Sequence, residues 1–448
     1  MSAARLSCLI LLSGLFPLRG ATLGAQDLTV TQPPQRQPIY IYNATLHTVR
    51  DGVHVGGALL LRDGKIERVW TKAQDREIES DSTILIDAGG RHVYPGLISP
   101  WTAIGLSEIG SLPDTIDLNE VGDANPELRA AVALNPDATA IPVTRVNGVL
   151  SAGIVPQGGL VPGRLSVVSL AGWTWEELTV RGDAGLVVEW PVSYGGGRGR
   201  RGRGAAAEDG TDRAQQAITT LRDLLAAGRA YARARANDPA VAIDLRLEGL
   251  APVLTRRTPV FVRASQHAAI QQAVTWAAAE GVRLVIVGGE SADGCLDLLK
   301  RHDVAVIVAS THRLPDRRDA AYDEAFTLPA QLEAAGLRWC FAHEFGGFSN
   351  ERNLPYAVGT AIAYGLGREA ALRAMTLSAA EILGVDERLG SLEPGKDATL
   401  FLADGEPWLL TTKVGEVWIG GRRVEQTSKH TELAKKYREK YRQLEARK

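Results

Sequence analysis

The sequence predicts an α/β fold: a (β/α)8, TIM-like barrel carrying a small composite β-sandwich domain built from N- and C-terminal segments. Two observations carry this. Between about residues 90 and 390, apolar β-branched runs alternate with helical stretches, the texture of βα units around a parallel sheet. Before and after that region the texture is almost purely β. A barrel with its insertions occupies about 250 or more residues, and a chain of 448 has room for it.

The N-terminal β segment contains the runs Ile39-Tyr42, Thr45-Val49, Ala58-Arg62, Lys65-Trp70 and Ile84-Asp87. Arg50-Asp51-Gly52 and Asp63-Gly64 punctuate them as hairpin turns. Barrel strands are expected at Leu150-Val155, Val260-Ala264, Leu284-Val287, Ala305-Ala309 and Arg338-Ala342. Helices are expected at Asp212–Ala236, His267–Ala279, Ala292–Arg301, Leu328–Ala335, Leu354–Tyr364 and Arg368–Leu383. β texture returns at Ala398-Ala403, Glu416-Ile419 and Arg422-Val424, with a turn at Gly420-Gly421. The resulting division is a β-domain from 38–90 and 391–425, a barrel from 91–390, and a charged terminal helix over 426–448.

Residues 1–25 form a different object. Arg5 gives a positive start, Leu6 to Leu18 is an apolar run, and the residues up to Ala25 are small and polar. This is the pattern of a signal peptide cut after Ala25, too short for a spanning helix, and it implies a periplasmic or secreted protein. Residues 26–37 are polar and Pro-rich, a flexible arm. Tyr194 to Gly204 reads YGGGRGRRGRG, which buries no apolar surface and predicts a surface loop. The formal net charge of −2 offers no basic field for nucleic acid or a membrane surface. Cys295 and Cys340 remain after cleavage; both sit in apolar surroundings, lack metal-ligand spacing and predict core packing.

Several strings at the joints resemble the amidohydrolase superfamily, in its imidazolonepropionase-related branch. Ile86-Asp87-Ala88-Gly89-Gly90 leading to Tyr94-Pro95-Gly96-Leu97-Ile98 is similar to the family's passage into the barrel. Gly390-Ser391-Leu392-Glu393-Pro394-Gly395-Lys396-Asp397-Ala398 is similar to its return to the small domain, and Met375-Thr376 with Ala379 to Gly384 to its last barrel helix. Asn135 to Val149, Pro156 to Gly163 and Arg352 to Leu366 also resemble this branch. The likeness spans about residues 38 to 425.

That resemblance implies hydrolysis of non-peptide C–N bonds, in cyclic amides or N-acyl and dipeptide-like compounds, by a zinc-like divalent metal at the C-terminal mouth of the barrel. The family pattern is His-x-His after strand 1, Lys or Glu on strand 4, one His each on strands 5 and 6, and Asp on strand 8. Here Trp101 and Ala103 hold the two positions after strand 1. The strand-5 position falls on Arg263 or Ser265 and the strand-6 position on Gly288. The strand-4 position is expected near Val241 to Leu250, where Asp244 and Glu248 are available. At strand 8, Ala342, His343 or Glu344 fills the position. No metal or other cofactor is expected. A guanidinium 4 Å from a divalent ion would repel it by roughly 8 kcal/mol at an effective dielectric near 20.

Of the eight histidines, His267, His312 and His343 fall near predicted strand ends. His343-Glu344 is the candidate acid/base pair, because strand-8 ends face the mouth. Glu290 and Arg263 are expected as an ion pair. Two functions follow: a C–N hydrolase, as the resemblance implies, or a non-catalytic relative that binds an amide ligand or pairs with itself or a related amidohydrolase. Neither nucleic acid nor, after cleavage, a membrane is an expected partner.

Overall fold

The computed structural model describes residues 30–72, 82–191, 205–308, 311–315, 320–343 and 347–446. Residues 1–25, expected as a signal peptide, and the Gly/Arg stretch 194–204, expected as a surface loop, lie outside the described residues. No described helix is long and apolar enough to cross a membrane.

The chain begins with β1 (Ile39–His47), β2 (Val53–Arg62), β3 (Lys65–Trp70), β4 (Ile84–Asp87) and β5 (His92–Pro95). Asp63 and Gly64, both at positive φ, close the β2–β3 hairpin. The barrel follows as β6 (Leu97–Thr102), β7 (Val149–Ile154), β8 (Gly163–Ser169), β9 (Thr179–Glu189), β10 (Val260–Ala264), β11 (Leu284–Gly288), β12 (Ala305–Val308) and β13 (Trp339–Phe341). The chain then returns to the small domain as β14 (Leu400–Ala403), β15 (Val414–Ile419) and β16 (Arg422–Val424).

The small domain is one eight-stranded sheet in the order β16-β15-β14-β5-β1-β2-β3, with β4 paired to the first half of β1. The expected composite β-domain is thus built from both ends of the chain as one sheet that curls on itself. Its far edges meet where Ile66 N–H donates to Lys396 O at 2.9 Å and Ala398 N–H to Gly64 O at 2.8 Å. β5 pairs with β1 and β14, so this strand lies on the small-domain side of the expected division at residue 90. Its Tyr94 stacks on Phe401 of β14 at 5.4 Å, joining the two ends of the chain. The described part of the arm runs from the barrel, where Thr31 Oγ1 donates to Gly172 O at 3.3 Å, onto this domain. Gln35 takes the Gly64 N–H and donates to Leu61 O, both at 2.9 Å, which satisfies backbone groups at the β2–β3 turn.

Barrel strands follow sequence order, and all but β8 run parallel. β8 and β9 form an antiparallel hairpin in place of a βα unit, a pairing the alternation of helix and strand does not announce. Closure uses chain beyond β13: Ile98 N–H donates to Met375 O at 2.8 Å and Ala103 N–H to Gly347 O at 3.0 Å. Engagement of the Met375 carbonyl also explains why the helix expected over 368–383 breaks into Arg368–Ala374 and Leu377–Leu383. The second of these packs Ala379, Ala380, Ile382 and Leu383 into the barrel's interior cluster, alongside Ile98, Phe261, Val287, Ile307 and Cys340. Cys295 and Cys340 are both buried free thiols.

β6 carries one extra residue between Ser99 and Thr102, opposite Ala152 to Ile154 of β7. A bulge of this kind reverses the inward–outward alternation along a strand. Ile98 and Trp101, three apart, consequently both face the interior cluster. Gly153 lies under the bulge, where a Cβ would stand 2.3 Å from Pro100 O. Both groups are backbone, so neither can yield cheaply. Gly153→Ala should lower stability by about 2 kcal/mol or more, read as a lower Tm by circular dichroism; an unchanged Tm would show that the strands separate freely there.

Candidate functional site

The C-terminal ends of the barrel strands form the mouth, the place where this architecture gathers its chemistry. In register, Glu189 pairs with Arg263, Arg263 with Val287, Val287 with Ile307 and Ile307 with Cys340. Partners across parallel strands point the same way, so these five side chains make one inward layer, polar on one side and apolar on the other. Arg263 Nη1 lies 3.9 Å from Glu189 Oε2, with side-chain exposures of 44% and 33%. The expected Arg263–Glu290 pair is thus replaced by Arg263–Glu189, because Glu189 is the residue directly across the ladder.

This also corrects the fourth-strand position. Residues 241–250 do not form a barrel strand. Asp244 caps the short helix Leu245–Glu248 through its Arg246 and Leu247 N–H groups, and Glu248 accepts from Tyr231. The strand in question is β9, and its terminal residue is Glu189. The apolar run Gly185-Leu186-Val187-Val188 ending in Glu189 was the available signal in the sequence. Burial pushes the Glu189 carboxyl above its ordinary range, and Arg263 acts in the opposite sense.

Trp101 is 2% exposed and lies inside the barrel, its ring 6.1 Å from that of Phe261. Removal of such a ring typically costs about 3–5 kcal/mol through lost contacts and a residual cavity. Ala103 is fully buried, its N–H bound to Gly347 O. Gly288 ends β11 at φ +103°, and a Cβ there would stand 2.8 Å from Glu290 Oε2 and 3.0 Å from Ser265 Oγ. The space that a side chain at 288 would use is therefore held by the Glu290 carboxylate, whose Oε2 is buried without a hydrogen-bond partner among the described residues. The Glu290 carbonyl accepts from Arg313, which also pairs with Glu324.

His343 is 6% exposed, just beyond β13, while Glu344 lies outside the described residues. His267 and His312 are engaged elsewhere, with Gly294 O at 2.9 Å and with Thr360 Oγ1 at 2.7 Å. Among the described residues no three His, Cys, Asp or Glu side chains are grouped so as to hold a metal ion. Trp101, Ala103 and Gly288 supply no donor, and Arg263 places a cation beside Glu189. The described donor set does not fit a divalent metal.

Residues 258–436 match the model of the amidohydrolase family. The structure of an amidohydrolase from Thermotoga maritima MSB8 superposes with a TM-score of 0.74 at 25% identity, covering 87% of this chain and all of that one. Both findings support the resemblance to the amidohydrolase superfamily that the sequence strings carry. Two further structures share the fold at 13% identity: molinate hydrolase, with a TM-score of 0.53 over 89% of this chain and 96% of that one, and a Xaa-Pro dipeptidase with bound methionine, at 0.51 over 87% and 100%. No curated protein matches. The likeness is to a superfamily of hydrolases, and this chain carries Trp101, Arg263 and Gly288 at the mouth of its barrel.

Glu189 yields a testable pH dependence. Its folded-state titration lies above that of the unfolded chain, so the buried ionised form costs stability at neutral pH and protonation relieves that cost. Glu189→Gln should melt at the same or a higher temperature than the natural protein at about pH 8, and its advantage should shrink as pH falls towards about 4. An advantage that grows on acidification would contradict the assignment.

Proposed function

We propose that this chain is an exported amidohydrolase relative that does not hydrolyse by metal-bound water. It keeps the barrel to bind a small amide ligand or to pair with a catalytic relative of the same fold. The observation that supports this reading is how the mouth is filled. An indole packs the interior at Trp101, and the Glu290 carboxylate occupies the space beside Gly288. A metal-bound hydroxide needs an open coordination position and several neutral or anionic donors. Here the polar residues of the same layer, Glu189 and Arg263, are turned toward each other.

The scaffold supports a retained role. Arg352 to Leu366 carries the helix Leu354–Ala363, and Gly390 to Leu400 returns the chain to the small domain. Their preservation alongside the altered mouth fits a protein that still presents the barrel surface to something. Homologous barrels associate through like surfaces, which makes a related amidohydrolase a suitable partner.

Elemental analysis of purified protein should find well below one divalent metal per chain, with no change in Tm on chelation. About one or two zinc or manganese ions per chain, lost on chelation together with amide hydrolysis, would overturn the proposal. Co-purification from the native source should recover a related barrel protein. A solitary protein that hydrolyses a small amide, and loses that activity on Glu344→Gln, would instead establish metal-free acid/base chemistry through His343 and Glu344.

A further inference from the structure

The opposite end of the barrel holds a second constellation. At the N-terminal foot of β10 to β13 lies a cleft of about 320 Å³, lined by Arg256, Arg283, Arg338, His302 and Asp303 and floored in part by Ile382. The arginines come from separate places. Arg256 sits at φ +59° in the turn before β10, while Arg283 and Arg338 immediately precede β11 and β13. Asp303, at φ +51°, precedes β12 and is the one acidic residue lining the cleft.

Two of the three guanidiniums are anchored. Arg338 donates through Nε to Asp303 Oδ1 at 3.2 Å and through Nη2 to the Asp303 carbonyl at 2.9 Å, and its Nη2 forms an ion pair with Oδ1 at 3.0 Å. Arg256 Nη1 donates to Gly281 O at 3.3 Å. These contacts fix the guanidiniums and leave Nη1 of Arg338 and Nη2 of Arg256 without partners among the described residues. The Arg283 side chain makes no hydrogen bond or ion pair with any described residue.

A structural explanation covers Arg256 and Arg338, which tie down carbonyls and turns at the foot of the barrel. It does not cover Arg283. Arg283 is exposed and has no tie to the fold, so its guanidinium stands beside two others of like charge and is open to an incoming anion. Its guanidinium is pushed below the ordinary range by burial first, then by Arg338 and Arg256, with Asp303 opposing and Arg181 adding to the shift. Three arginines less one aspartate leave a formal charge of +2 lining the cleft, equal and opposite to a dianion. Guanidinium forks match the oxygens of phosphate in pairs. A volume of about 320 Å³ exceeds a bare phosphate and leaves space for a small organic part.

We propose that this basal cleft is an anion site for a phosphoryl group, either inorganic phosphate or the phosphate ester of a small molecule, with Arg283 as its principal contact. It lies at the far end of the barrel from the mouth and does not depend on the function assigned there.

The test uses the mature full-length chain, with binding followed by calorimetry and by Tm. Inorganic phosphate and glycerol phosphate are compared with chloride at matched ionic strength. Phosphate should bind and raise Tm beyond the chloride control, and tighter binding of glycerol phosphate would identify the ester as the occupant. Arg283→Gln should weaken phosphate binding about tenfold or more, the loss expected for one charge-assisted fork. In chloride alone, the same variant should melt at or above the temperature of the natural protein, because it relieves like-charge repulsion. Arg438→Gln, on the exposed terminal helix, should leave phosphate binding unchanged. A phosphate effect equal to that of chloride, retention of binding in Arg283→Gln, or a lowered Tm of that variant in chloride would each overturn the proposal, the last by showing Arg283 to be structural.

Discussion

The packing of Trp101 inside the barrel rests on a single extra residue in β6. Regular pleating from Ile98 would direct Pro100 and Thr102 inward and leave Trp101 facing the helical layer. The bulge between Ser99 and Thr102 restores Trp101 to the interior, where its ring packs near Phe261. Gly153 on β7 makes the bulge sterically feasible, and the segments at Gly347 and Met375 take the N–H groups of β6 that would otherwise lack partners. Three parts of the chain far apart in sequence thus converge on one short strand, and the closure of the barrel depends on that convergence.

From that interior the two ends of the barrel diverge in character. The middle is a continuous apolar column from Trp101 down through Phe261 and Val285 to the helix Leu377–Leu383, which plugs the foot. Charge is confined to the layers above and below. At the mouth Glu189 and Arg263 face each other across adjacent strands, whereas the foot gathers arginines with a single aspartate. Burial in the column explains why the mouth pair is strained: the Glu189 carboxyl loses hydration that a contact of 3.9 Å replaces only in part.

The small domain acts as a clasp. β5 receives β1 on one side and β14 on the other, so both ends of the barrel segment are anchored to one sheet. His47 stacks on Tyr94 at 4.1 Å and meets His92 at 2.8 Å, and Tyr94 stacks in turn on Phe401. This ring column holds His47 neutral, its pKa lowered to about 4 by burial and by His92. The clasp combines this aromatic column with ion pairs that join the two ends of the chain, Lys65 to Asp397, Arg91 to Glu416 and Arg50 to Glu393.

Fold class, the order of elements and family were legible along the chain. Burial imposes a local period, and turn residues mark its interruptions, so runs such as Val260-Ala264 and Leu284-Val287 announce strands without their neighbours. The family strings at Tyr94 to Ile98 and Gly390 to Leu400 were equally local. Partnership across the fold was not. The chain carries no mark that Glu189, over seventy positions before Arg263, stands directly beside it, or that Asp244 and Glu248 belong to an outer helix. The hairpin β8–β9, the single curled sheet of the small domain and the inward turn of Trp101 depend on register between strands. Register is decided by which distant backbone groups find partners once the barrel closes, and that energy has no local period. The basal arginines belong to the same class: each precedes its own strand unremarkably, and only closure of the barrel brings their charges together.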